Sequence, residues 1–153
     1  MAEVSCGFKD VAGGASGADL LTFYGPTIAV DIGFDPDWDP AKSGVPLAGM
    51  TGIAALVDTG ATECCIDSVL ATQLNLPVVD KRTMAGAHGA QDVNVHLAQV
   101  HVPGLHHVMW GQFCAVHLTA GGSAHKALIG RSFLSSFQLV YNGKTGAVSI
   151  KSE

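Results

Sequence analysis

Alternation, more than helical periodicity, patterns this chain. Ile28, Val30 and Ile32 are spaced by Ala29 and Asp31, the period-two signature of a half-buried strand. A second apolar run over residues 52–57 stops abruptly on Asp58. Residues 62–66 read as extended. Asp67 then stands where a helix N-cap belongs, and residues 68–74 predict a short helix closed by Asn75 and Pro77. Residues 78–84 and the stretch from Val93 flank the small, glycine-rich segment Ala85-Gly86-Ala87-His88-Gly89-Ala90, which predicts a long hairpin with its tip there. Val93, Val95 and Leu97 share one phase, Val100 and Val102 the other, so a bulge is expected near Ala98-Gln99. Further short strands are expected at 107–110, 113–118 and 126–130, then a short helix over 131–136. Phe137, Leu139 and Tyr141 alternate into Asn142-Gly143-Lys144-Thr145-Gly146, a hairpin turn, and residues 147–151 return.

Short strands at regular spacing with little helix predict an all-β, barrel-like domain. Residues 35–46 are acidic and too rich in proline for a central strand. Residues 1–22 carry Gly13-Gly14-Ala15-Ser16-Gly17 and weak patterning, so they are expected as a flexible N-terminal arm, with the folded domain over 23–153.

Composition narrows the partners. The 153 residues are 48% hydrophobic but only 14% charged, well under the roughly 25% of typical domains. That leaves neutral surface of the kind copies use to associate. The net charge of -5 and the lack of a Lys/Arg cluster argue against nucleic acid. No apolar run approaches the roughly 18 residues of a membrane span, and the first ten residues lack the pattern of a signal peptide. The four cysteines follow no zinc spacing, and Cys64 and Cys65 point to opposite faces of a strand, so free thiols in a reducing, cytoplasmic setting are expected. The seven histidines show no ligand spacing either, so neither a metal nor a cofactor is expected.

Candidate chemistry gathers at Ala54-Ala55-Leu56-Val57-Asp58-Thr59-Gly60-Ala61-Thr62. An apolar strand delivers a carboxylate, which is costly to bury without partners, and Gly60 lets the chain turn at once. Asp-Thr-Gly is also ordinary turn chemistry. Downstream come the glycine-tipped hairpin and then Ala127-Leu128-Ile129-Gly130-Arg131-Ser132-Phe133-Leu134. In these motifs and their order the chain resembles the retropepsin-like aspartic proteases, from about residue 26 to 150.

The resemblance implies a closed acid-protease-type barrel with one or two short helices and one active-site lobe per chain. It implies Asp58 as the catalytic acid, Thr59 bracing the paired active-site loops and Gly60 lining the substrate backbone. Ala61 and Thr62 would join it there, and the hairpin around Gly86, Ala87, His88 and Gly89 would close as a flap over a peptide. Ile129, Gly130 and Arg131 would support the catalytic loop from beneath. Relatives often place an acid where this chain has Thr62, so the partner of Arg131 is an open question; Glu63 is expected to face the other way.

Peptide hydrolysis by this chemistry needs two carboxylates, one ionised and one protonated. The chain holds one Asp-Thr-Gly and no second Asp-Ser/Thr-Gly, so the second acid must come from another copy. Ala61 offers no hydroxyl to a carboxylate, which predicts a mildly rather than strongly acidic optimum. The expected activity is homodimeric aspartic endopeptidase on peptide or protein substrates. The alternative is a catalytically silent dimerisation or peptide-binding module on the same barrel. The apolar stretch at residues 21–25 is a candidate for self-cleavage.

Overall fold

The expected strands close on themselves. The computed structural model describes residues 1–86 and 89–152. Its strands are β1 (Glu3–Ser5), β2 (Thr27–Gly33), β3 (Met50–Val57), β4 (Cys65–Asp67), β5 (Val78–Gly86), β6 (Gly89–Val102), β7 (His107–Val116), β8 (Ala127–Ile129), β9 (Gln138–Asn142) and β10 (Ala147–Lys151). Three short helices accompany them: α1 (Gly17–Tyr24), α2 (Ser68–Gln73) and α3 (Arg131–Leu134). Six strands run in the order β2-β3-β8-β4-β7-β6, and a β2–β6 pairing shuts them into a barrel, with β5 appended to β6. β9 and β10 form a separate antiparallel sheet with β1. Among the described residues no helix is long and apolar enough to cross a membrane.

Alternation explains the barrel. Ile28, Val30 and Ile32 of β2 face inward with Ile53, Ala55 and Val57 of β3, and Ile66, Ala127 and Ile129 complete the interior. Burying one such branched side chain contributes about 1.5–3 kcal/mol. As the sequence suggests, Asp67 caps α2 by accepting from the Leu70 N–H at 3.3 Å.

Three expectations need correction. No bulge interrupts β6 near Ala98: its register with β7 is continuous from Val95↔Cys114 to Val102↔His107. The change of phase reflects burial on both faces. Ala98, Val100 and Val102 enter the barrel core, whereas Val93 and Val95 belong to a second cluster with Cys65 and Cys114. The irregularity lies in β5 instead, between Val78 and Asp80. Residues 107–116 form one strand, not two separated at Gly111, because the β6 ladder runs unbroken past Gly111 from His107 to Cys114.

The first 22 residues, expected as a flexible arm, are folded onto the barrel. β1 pairs with β10, and Ser16 caps α1 by accepting from the Asp19 N–H. Gly17 approaches so closely that an added Cβ would lie 2.9 Å from the Thr145 carbonyl oxygen. Of the candidate cleavage stretch, residues 21–24 are the end of α1, with Leu21 buried, and Gly25 is its C-cap.

Candidate active site

β3 carries the chain to Asp58, and β8 holds it there. The two strands pair in parallel with Val57 opposite Ile129. The Asp58 N–H donates to the Ile129 carbonyl at 2.9 Å, and the Ala61 N–H closes the turn onto the Asp58 carbonyl at 3.2 Å. The half-buried Asp58 side chain takes one hydrogen bond from the described residues, from the Gly60 N–H to Oδ1 at 2.9 Å. A Cβ on residue 60 would sit 3.1 Å from that oxygen, so glycine leaves the carboxylate its room.

The loop is clasped from below by the start of α3. Arg131 and Ser132 donate their N–H groups to the carbonyls of Ala61 and Thr62, each at 2.9 Å. The Arg131 guanidinium reaches up to the Thr59 carbonyl at 2.7 Å and the Thr62 hydroxyl at 3.1 Å. Among the described residues this gives its partners: a fork of donors grips a carbonyl and a hydroxyl, not a carboxylate. Gly130 is confined harder than any side chain allows. An added Cβ would meet the Glu63 carbonyl oxygen at 2.5 Å and that of Ala61 at 2.9 Å. Its N–H points at Cys64 Sγ, 3.3 Å away. Ile129 is buried beneath.

Glu63, expected to face away from Arg131, lies ahead of β4 and turns to the hairpin. Its carboxylate lies 3.8 Å from Arg82 on β5, and Arg82 also donates to Gln112 on β7 at 3.3 Å. Both ends of the ion pair are exposed, so it adds at most about 1 kcal/mol. It does tie the hairpin to the floor. β5 and β6 pair from Val78↔His96 out to Gly86↔Gly89, while β6 meets β7 only from Val95 inward. The outer part is therefore a two-stranded ribbon. Met84 and Val93 on its stalk pack with Leu128 and Cys65 of the floor. Burial, then the neighbouring Cys114, Cys64, Glu63 and Asp58, pushes the Cys65 thiol up to about 12, which keeps it unreactive.

The structure thus gathers Asp58, Thr59, Gly60, Ala61, Thr62, Ile129, Gly130 and Arg131 into one hydrogen-bonded unit. Gly86 and Gly89 close the described part of the hairpin as register partners. Ala87 and His88 lie outside the described residues. A cavity of about 520 Å³ opens elsewhere, between α2 and β6–β7, lined by Ser68, Thr72, Asn94, His96 and His117. It does not include Asp58.

Sequence reasoning missed the Arg82 tether, and it saw only half of Asp67. That side chain is 1% exposed. Besides the cap to Leu70, it accepts from the Leu118 N–H at 3.1 Å, the Thr119 N–H at 3.0 Å and the Thr119 hydroxyl at 2.8 Å. Burial works against the charge, but the donors of Thr119, Leu70 and Leu118 outweigh it and hold the carboxyl below its usual range. The cap was visible in the local pattern; the bonds to residues 118 and 119 are made across the fold and leave no local signal.

The family described as "gag-polyprotein putative aspartyl protease" matches residues 47–136, which include β3, the Asp58 loop, the hairpin and α3. Among solved structures, EIAV protease complexed with the inhibitor HBY-793 is similar at 17% identity and a TM-score of 0.44, covering 72% of this chain and 85% of that one. No curated protein matches the chain.

Proposed function

The chain belongs to the gag-polyprotein aspartyl protease family, and on that premise we propose that it is a homodimeric aspartic endopeptidase with one catalytic Asp58 from each copy. The observation that carries this reading is the Asp58-Thr59-Gly60 loop itself. It is delivered by a buried strand and held from below by Ile129 and Arg131, and one carboxylate oxygen engages the chain through Gly60. A carboxylate so positioned and so sparsely bonded is suited to share a proton with its twin.

Two like charges in one site cannot both ionise, so the pair holds a single proton. The ionised Asp58 takes a proton from water as the water oxygen bonds to the peptide carbonyl carbon. The protonated Asp58 gives its proton to the carbonyl oxygen. The tetrahedral species then collapses, a proton passes to the amide nitrogen, and the C–N bond breaks. Thr59 braces the two loops, and Gly60, Ala61 and Thr62 line the substrate's backbone. The ribbon from Gly86 through Ala87 and His88 to Gly89 closes over an extended peptide bound by strand pairing. A reducing, cytoplasmic setting is supported by four cysteines that are all buried and free.

The test is to incubate wild type and Asp58→Asn with a mixed peptide library from pH 3 to 8 and read the products by mass. Cleavage that disappears with Asp58→Asn is expected. A folded wild-type dimer that cuts nothing would instead support the silent-module reading.

A further inference from the structure

Residues 34–49 join β2 to β3, and their course is fixed by hydrogen bonds. The Asp35 N–H donates to Gln99 Oε1 at 2.7 Å, and Gln99 Nε2 donates to the Asp35 carbonyl at 3.0 Å. The Asp35 carboxylate accepts from the N–H groups of Asp37 and Leu47, each at 3.0 Å, which closes the loop on itself. Gln99 is buried, and it stands in register with Gly33 on β2 and Trp110 on β7. The loop is thereby pinned beside Trp110.

The rings of Trp38 and Trp110 meet edge to face, with centroids 5.6 Å apart and planes at 67°. Trp38 donates its indole N–H to the Gly44 carbonyl at 3.2 Å. Trp110 is 58% exposed, and among the described residues its indole N–H has no acceptor. The same loop leaves Val45 and Leu47 in water. An apolar surface held open by a fixed backbone marks a docking site whose ordering cost is already met.

Charge and geometry narrow the occupant. The loop carries Asp35, Asp37 and Asp39 against Lys42 alone. Anionic lipid is repelled by such a surface, and a second copy of the loop would set acids against acids. Residues 34–49 contain no strand, so no edge is offered there for strand pairing. A polyproline-II segment meets each condition. It docks on aromatic surfaces, it loses little entropy on binding, and its carbonyls have no partners of their own.

We infer that Trp38 and Trp110 form a docking notch for a proline-rich segment carrying Lys or Arg. A proline ring packs in the angle between the two indoles, the Trp110 N–H donates to a peptide carbonyl, and the basic side chain pairs with Asp37 or Asp39. None of these residues belongs to the hydrogen-bonded unit around Asp58, so the inference goes beyond the protease reading and does not rest on it.

Fluorescence anisotropy tests it with two labelled probes: decaproline bearing a pair of arginines at its N-terminal end, or at its C-terminal end, to cover both docking directions. At least one probe is expected to bind saturably and to change the tryptophan emission. Trp110→Ala should weaken that binding about tenfold or more. Asp37→Lys should weaken it about threefold and flatten its salt dependence. Both side chains are exposed, so both variants should keep the wild-type circular dichroism spectrum. A glycine-serine probe of the same length and charge should bind at least about tenfold more weakly. The inference is overturned if neither proline probe binds, if the glycine-serine probe binds equally, or if Trp110→Ala leaves affinity unchanged. Trp110-dependent binding to phosphatidylcholine vesicles, or a Trp110-dependent dimer in sedimentation, in place of peptide binding would assign the surface to lipid or to a second copy and overturn it as well. Its failure is separable from that of the protease reading. Trp110→Ala should leave cleavage of short peptides unchanged, and a wild type that binds the probe but cuts nothing leaves the notch standing.

Discussion

The chain treats two aspartates, Asp58 ahead of β4 and Asp67 at its end, in opposite ways. Asp67 is buried, and four donors satisfy its carboxylate. Asp58 is half-buried and receives the Gly60 N–H. A carboxylate saturated by its own chain has nothing left to offer a substrate, and its charge serves the fold. One delivered by a buried strand and left mostly unbonded is available to react. On the proposed function, the strength of an acid's in-chain bonding, more than its presence on a loop, separates scaffold from chemistry.

The largest expected effect exchanges the roles of the two sites. Asp58→Asn should lower peptide cleavage by about a thousandfold or more, since removing the base leaves only binding and positioning, with the thermal midpoint unchanged. Asp67→Ala should destabilise the fold by about 3–5 kcal/mol by stranding buried donors, read by denaturant unfolding. What remains folded should keep its activity per molecule. Equal loss of stability in both variants would erase the comparison.

Next in size is Gly130→Ala. The new methyl meets main-chain oxygens that cannot swing aside, so about 2–3 kcal/mol of stability should be lost. Activity should fall further than stability explains, because the displaced atoms belong to the Asp58 loop.

Acid sharpens the contrast more gently. The folded-state value of Asp67 is below its unfolded one, so the stability it contributes is complete above the ordinary carboxylate value of 3.8 and drains as pH falls through the lower folded value. Unfolding midpoints should therefore drop with acid below about pH 4 in wild type. The drop should be shallower in Asp67→Asn, measured over the same range. The smallest effect is Ala61→Ser: a hydroxyl donating to Asp58 favours the ionised form, so the pH–rate optimum should move toward lower pH.

Much of this was legible in the sequence, and the missing part has a common cause. The Asp58 loop, the Asp67 cap and the turn at Asn142-Gly143 are local patterns, so each shows in a few consecutive residues. β1 was read as a flexible arm because three residues carry almost no periodicity and their partner, β10, lies at the other end of the chain. The phase change in β6 was read as a bulge because periodicity does not show that a strand passes between two cores. The Arg131 clasp and the Glu63–Arg82 tether are long-range contacts whose members look like any surface residues until the barrel closes.

The central claim is that Asp58 is half of a site completed by a second copy. Mixing wild type with Asp58→Asn tests it most directly, with subunits allowed to exchange at fixed total concentration. If each active site needs two aspartates, activity follows the square of the wild-type fraction and falls to about a quarter at equal parts, as expected for a site on a two-fold axis. A linear fall, to about half at equal parts, would mean that each chain cleaves alone and would contradict the account.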